Sequence, residues 1–244
     1  VQDLEQVNGV DDVVTFSGFY ISRDASDSVT GTGTLSGADA ANYQITSFVN
    51  GRIYKKLIDG TTINKTYDGV NTATIDLSGV LVIDSVRDSV SAVGTFATVR
   101  VADNIAVSGS LTGAHAGNYT LNSVSTANIT RLTITATTSN KTYNASTNAN
   151  ITIDANQLKT VSGSLDDVTI SGTFDNKNIG TSKLVSAAIT GTEAYNYTLG
   201  TVSTANITKK SITADGVSRA YNGLTSVDLS LNNLESGDVV TGTG

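Results

Sequence analysis

Three unrelated short segments of this chain recur with one shared period, and that fact constrains the fold more tightly than any other. "GTLSGADAANYQI" (33–45), "GSLTGAHAGNYTL" (109–121) and "AAITGTEAYNYTL" (187–199) set Tyr43, Tyr119 and Tyr197 apart by 76 and 78 residues. "NKTYDG" (64–69), "NKTYNA" (140–145) and "SRAYNG" (218–223) set Tyr67, Tyr143 and Tyr221 apart by the same 76 and 78. "RIYKKLI" (52–58), "NITRLTI" (128–134) and "NITKKSI" (206–212) keep step with both. A long period carried by independent markers is the signature of a tandem array, in which each repeat is one structural unit. The two extra residues fall in "YNASTNANITID" (143–154) against "YDGVNTATID" (67–76), an insertion of the kind surface loops accept. The units therefore read as 1–55 (lacking its start), 56–131, 132–209 and 210–244 (lacking its end).

Within a unit the pattern is short strands separated by turns. "RLTITAT" (131–137) alternates, with Leu132, Ile134 and Ala136 on one face and threonines on the other. The 37 Thr and 27 Ser, with abundant Val and Ile, favour extended backbone. Tyr-Asp-Gly and Tyr-Asn-Gly supply residues that tolerate positive φ in tight turns. No stretch of ten or more residues carries a helical stripe, so the expected class is all-β. "DAANYQI" matches a tyrosine corner, in which the ring sits two residues before a core position and its hydroxyl bonds to upstream backbone. The core positions here are Ile45, Leu121 and Leu199. The expected unit is a small immunoglobulin-like β-sandwich of 76–78 residues; a β-grasp-like unit is the alternative.

The sequence argues against most site chemistry. The chain has no Cys, so it has no thiolate nucleophile, disulfide or thiolate metal site. A net charge of −7 disfavours nucleic acid, which needs a basic stripe. No run approaches the roughly 18 apolar residues of a membrane span. The only histidine, His115, aligns with Asp39 and Glu193, and a catalytic base or metal ligand would not be exchanged that way between sister units. Asp11–Asp12 and Asp166–Asp167 sit side by side, and neighbours on a strand point to opposite faces, so they cannot converge on a substrate as glycosidase carboxylates do. They read as solvated turn acids. No cofactor is expected; the one ion these clustered carboxylates suit is calcium, weakly held for a structural role. Lys65, Lys141 and Arg219 precede the marker tyrosines by two and are placed for a cation–π contact with them.

At "NKTYDG", "LTGAHAGNYTL" and "TANITRLTI" the sequence resembles the YDG/MBG-type repeats of large bacterial secreted and surface adhesins of the filamentous-haemagglutinin-like kind. That resemblance implies a non-enzymatic structural region on the bacterial cell surface. It would be an extracellular, rod-like stalk or fibre serving surface attachment or biofilm. It brings no catalytic residues. The implied partners are neighbouring repeats of the same chain. The alternative reading is a set of tandem glycan-binding modules that grip a host or matrix glycan, which a cluster of exposed aromatics on one face would favour. The glycine-free links between units predict an elongated particle.

Val1 aligns with Leu77, so the first unit lacks an equivalent of residues 57–76, while 211–230 reproduces that stretch. Two expectations stay open. Residues 211–230 complete residues 1–55 of another copy head to tail by strand donation, or both ends simply fray.

Overall fold

The computed structural model describes Gln6, Val7 and residues 10–240. Residues 1–5, 8–9 and 241–244, parts of the first and last expected units, lie outside the described residues. The chain is all-β, and the only helical pieces among the described residues are three-residue 3₁₀ turns. Among the described residues no helix is long and apolar enough to cross a membrane. Packing divides the chain into two units. One comprises the chain up to Asn64 with Asn71–Thr98 and Asp103–Asn128. The other comprises Lys65–Val70, Val99–Ala102 and the chain from Ile129 onward.

In the second unit the expected repeat 132–209 is complete. Leu132–Thr138 is the centre of a mixed sheet, antiparallel to Ile151–Ile153 and parallel to Tyr197–Val202. Its alternation is the one read from the sequence: Ile134, Ala136 and Thr138 are buried, and the threonines between them are exposed. A second sheet sets Ala205–Thr208 between Lys141–Thr142 and Gly180–Lys183. A hairpin of Thr169–Phe174 with Val185–Thr190 forms the third. The strand that opens the repeat and its last long strand, Tyr197–Val202, thus run parallel, joined through everything between them. Parallel neighbours need a long crossover, and here the strands between the two are that crossover.

The first unit repeats this plan for residues 56–124. Lys56–Thr62 lies between antiparallel Ile75–Ser78 and parallel Tyr119–Val124. The hairpin of Ser91–Phe96 and Val107–Thr112 faces it, with Thr72–Ala73 along the hairpin's edge. Two glycines let the layers touch. Gly94 and Gly109 are direct cross-strand partners, and a Cβ on either would stand within 3 Å of Ile75 Cδ1, at 2.7 and 2.9 Å. Ile75 and Leu121 therefore pack onto bare backbone, which brings the layers closer than side chains on both faces would allow.

Residues of the first expected repeat, also in this unit, form two-stranded pieces. Thr15–Tyr20 pairs with Gly31–Ser36, and Ser26–Val29 with Gly51–Ile53. Tyr43–Asn50 aligns with the strand Tyr119–Val124 yet forms no strand.

Candidate functional site

Gly37, Gly113 and Gly191, at one repeat position, all turn through positive φ, 119°, 109° and 124°. A Cβ there would stand 2.2, 2.4 and 2.1 Å from the carbonyl oxygens of Val13, Ser89 and Asp167, so the corner admits only glycine. At Gly113 and Gly191 the turn then delivers the corner tyrosine in extended conformation to the opening of the last long strand.

The corner tyrosines share one arrangement. The Tyr119 hydroxyl donates to Asp88 Oδ2 at 2.7 Å and accepts from the Leu81 backbone N–H at 3.1 Å. The Tyr197 hydroxyl donates to Asp166 Oδ2 at 2.6 Å and accepts from the Lys159 N–H at 2.8 Å. Tyr43 donates to Asp12 Oδ2 at 2.6 Å. The upstream backbone bond expected of a tyrosine corner is present at Tyr119 and Tyr197, reached across 38 residues, with a carboxylate added.

The second marker converges on the same carboxylate. Within the second unit the Tyr67 hydroxyl donates to Asp166 Oδ2 at 2.8 Å, so one buried oxygen holds two tyrosines 130 residues apart in sequence. Their rings meet edge to face with centroids 5.6 Å apart. Tyr67 and Tyr197 are 1% and 3% exposed and Asp166 is 6% exposed. Tyr143 repeats the contact, donating to Asp238 Oδ1 at 2.9 Å, where Lys177 also donates at 3.1 Å. Tyr221, the last of the six markers, is exposed. The YDG-type turn of one repeat thus packs into the repeat that follows.

The acids differ from the sequence expectation. Asp166 is a buried acceptor rather than a solvated turn group, because it faces two tyrosine hydroxyls, and Asp88, its counterpart one repeat earlier, is buried against one. Asp12, Asp88 and Asp166 follow the 76- and 78-residue spacing of the tyrosines, the signal that identifies them in the sequence. Reading the acids as pairs hid it, since only one member of each pair recurs. Among the described residues no three His, Asp or Glu side chains gather as a metal site would need.

His115, Asp39 and Glu193 perform one task. His115 Nδ1 accepts from the Ser89 N–H at 2.9 Å, Asp39 Oδ2 from Val13 at 2.7 Å, and Glu193 Oε2 from Asp167 at 3.1 Å. The position requires an acceptor of any kind. His115 Nδ1 therefore carries a lone pair toward Ser89, and its 3.8 Å approach to Asp88 Oδ1 is no ion pair in that tautomer.

The marker cations clamp their own turn. Lys65 Nζ donates to Asp68 Oδ1 and the Val70 carbonyl at 2.8 and 2.6 Å. Lys141 Nζ reaches the Ser146 and Asn148 carbonyls at 2.6 and 2.9 Å. Lys141 also stands over a ring, that of Phe174 at 5.5 Å rather than the marker Tyr143.

Burial, then the bond to Asp166, pushes the Tyr67 and Tyr197 hydroxyls well above the usual tyrosine range. Asp238 is held below its ordinary value, first by Tyr143 and then by Lys177. A nucleophilic or basic tyrosine needs the opposite shift. These hydroxyls are suited to donating to a fixed carboxylate.

Exposed aromatics gather in one place among the described residues of the first unit, where Phe16, Phe19, Tyr20 and Phe48 line a shallow cleft. The corresponding residues of the next repeat are Ala92, Thr95, Phe96 and Val124, of which Phe96 is buried.

A family model described as YDG domain matches residues 54–129 and again 126–206. No curated protein and no solved structure matches the chain significantly.

Proposed function

The chain belongs to the YDG domain family, and from that premise we propose that it is a non-enzymatic structural region of a bacterial extracellular adhesin. Its repeats form a rod-like stalk on the cell surface that serves attachment or biofilm. The observation that carries this reading is the buried carboxylate of Asp166, shared by Tyr67 of one repeat and Tyr197 of the next. A hydrogen-bonded buried group is costly to open, because opening leaves a desolvated carboxylate without donors. A junction built that way resists bending, which is what a spacer requires. The same contact recurs at Tyr143 and Asp238, so stiffness follows from the repeat itself. The groups a catalyst would use are engaged in holding backbone: the histidine, Asp39 and Glu193 each accept one main-chain N–H.

The test is small-angle scattering from the chain in solution. The expected profile is that of an elongated particle whose length greatly exceeds its cross-section; a profile fitting a compact sphere overturns the stalk. A second reading, tandem glycan-binding modules, draws on the aromatic cleft of Phe16, Phe19, Tyr20 and Phe48. Tandem modules require the platform in every repeat, and this one does not recur. Binding to a glycan array that is lost in Phe19→Ala would favour it.

A further inference from the structure

One strand edge is left open in both complete repeats. In the first unit Val107–Thr112 ends its sheet. Its one ladder partner among the described residues is Ser91–Phe96, whose far side is covered by Thr72–Ala73. In the second unit Val185–Thr190 likewise pairs only with Thr169–Phe174, whose far side meets Asn148. The covered sides fix which backbone groups point outward. The Phe96 N–H donates to the Asn71 carbonyl at 2.7 Å, so Phe96 bonds away from its cross-strand partner Val107. Antiparallel alternation then turns the N–H and C=O groups of Val107, Gly109 and Leu111 to the open edge. The Ala149 N–H on the Gly172 carbonyl and the Phe174 N–H on the Thr147 carbonyl set the same parity for Val185, Ala187 and Ile189. Gly109 is exposed although a Cβ on it would meet Ile75 and Leu121, so the open surface there is backbone.

Natural sheets guard open edges with charge, proline or a bulge. Both edges of the facing sheet in the first unit are guarded. Ile75–Ser78 carries Asp76, and Tyr119–Val124 shifts register between Leu121 and Ser123. Neither Val107–Thr112 nor Val185–Thr190 carries a charge, and the ladder to each hairpin partner runs unbroken. Each strand is also symmetric about its middle, small residue against small and aliphatic against aliphatic. About Gly109, Ser108 mirrors Ser110 and Val107 mirrors Leu111. About Ala187, Ser186 mirrors Ala188 and Val185 mirrors Ile189.

We propose that each of these edges pairs antiparallel with the same edge of a second copy of this chain, joining two chains side by side. Gly109 then lies opposite Gly109 of the other copy, Val107 opposite Leu111, and Ser108 opposite Ser110. The occupant is a second copy because a two-fold pair sets residue i against j and j against i, which calls for a mirrored strand; an unrelated peptide calls for none. The register agrees with the bonding parity. The outward groups of Val107, Gly109 and Leu111 meet as hydrogen-bonded pairs, and the serines meet as the closer pairs, about 4.5 Å apart at Cα. Small side chains suit that spacing. Val107 and Leu111 are half-buried in the single chain and cover one another across the new ladder. Ladder bonds and apolar burial thus form together. Gly31–Ser36, the matching strand of the first expected repeat, has Gly31 where Val107 stands and lacks the apolar pair. The pairing needs only the edge and does not rest on the stalk reading.

Sedimentation of the intact chain across a concentration series reads the association. The expected result is a reversible rise in weight-average mass. Ser108→Lys, Ser110→Lys, Ser186→Lys and Ala188→Lys together, all at exposed positions, set like charges opposite one another and should weaken association by about tenfold or more. Circular dichroism matching the parent chain checks that this variant folds. Ser108→Cys and Ser110→Cys, made separately, read the register in a chain that has no cysteine of its own. Position 108 faces 110 of the other copy and not 108, so mild oxidation should cross-link a mixture of the two variants and neither variant alone. Absence of association, association unchanged in the folded lysine variant, or cross-linking no greater in the mixture than in either variant alone overturns the pairing. If the lysine variant does not fold, the cysteine pair decides. None of these results touches the stalk reading, which scattering from the dilute monomer tests.

Discussion

Tyr67, Tyr197 and Asp166 form a buried set in which both tyrosines must stay protonated. Their pKa values are raised by burial and by the carboxylate they bond, so the neutral form is the one the fold favours. The unfolded chain ionises near the ordinary tyrosine value of about 10, and stability is full below that pH and lost as pH rises toward the folded values. Ultraviolet titration should show Tyr67 and Tyr197 ionising only as the second unit unfolds, at a pH above the ordinary tyrosine value. Titration of all tyrosines in one step, with the fold intact, contradicts this. Asp238 gives the acid counterpart. Its depressed pKa adds stability that is present above the ordinary aspartate value and lost as pH falls through the folded one. At the corner, the exchange of His115 for Asp39 and Glu193 makes a sharper forecast. His115→Glu should retain stability because it keeps an acceptor for Ser89, whereas His115→Ala should lose about 1 kcal/mol in denaturant melts.

Among the elements, the marker turn shows what a single substitution does to local geometry. Gly69 and Gly223 occupy its third position with φ of 81° and 75°, and Ala145 holds the same place at 57°. An alanine in that region crowds its Cβ against the backbone, so Ala145→Gly should stabilise the second unit by up to about 1 kcal/mol, measured as an upward shift in melting midpoint. The strands of the mixed sheet show the reverse, one sequence pattern in two states. Tyr119–Val124 is a strand beside Lys56–Thr62, while Tyr43–Asn50 carries the same marker and forms none among the described residues. A strand needs a backbone partner for its N–H and C=O groups, and pattern alone supplies none. The glycine corner belongs to the legible part, because Gly37, Gly113 and Gly191 recur in the sequence and each is demanded by its own turn.

For the molecule as a whole, the assignment of Lys65–Val70 to the second unit is the consequential fact. A segment encoded in one repeat completes the compact body built mainly from the next. Tyr67→Ala should therefore cost about 3–5 kcal/mol, and the loss should fall on the second unit. Hydrogen exchange is expected to speed up at Leu132–Thr138 and to stay unchanged at Ser91–Phe96 of the first unit. Faster exchange in both strands alike would show that the tyrosine acts elsewhere.

The sequence by itself determined the period, the all-β class, the alternation of Leu132–Thr138 and the glycines at the corners. Each of these is local: side-chain alternation follows from pleat geometry, and a positive φ is permitted or forbidden at a single residue. Only the tertiary structure decided that Asp88 and Asp166 are buried, that one carboxylate serves Tyr67 and Tyr197 together, and that Leu132–Thr138 and Tyr197–Val202 run parallel. Those are choices of partner. An aspartate beside a turn has the same sequence whether water or a tyrosine 99 residues away faces it, and the chain's path through space settles which.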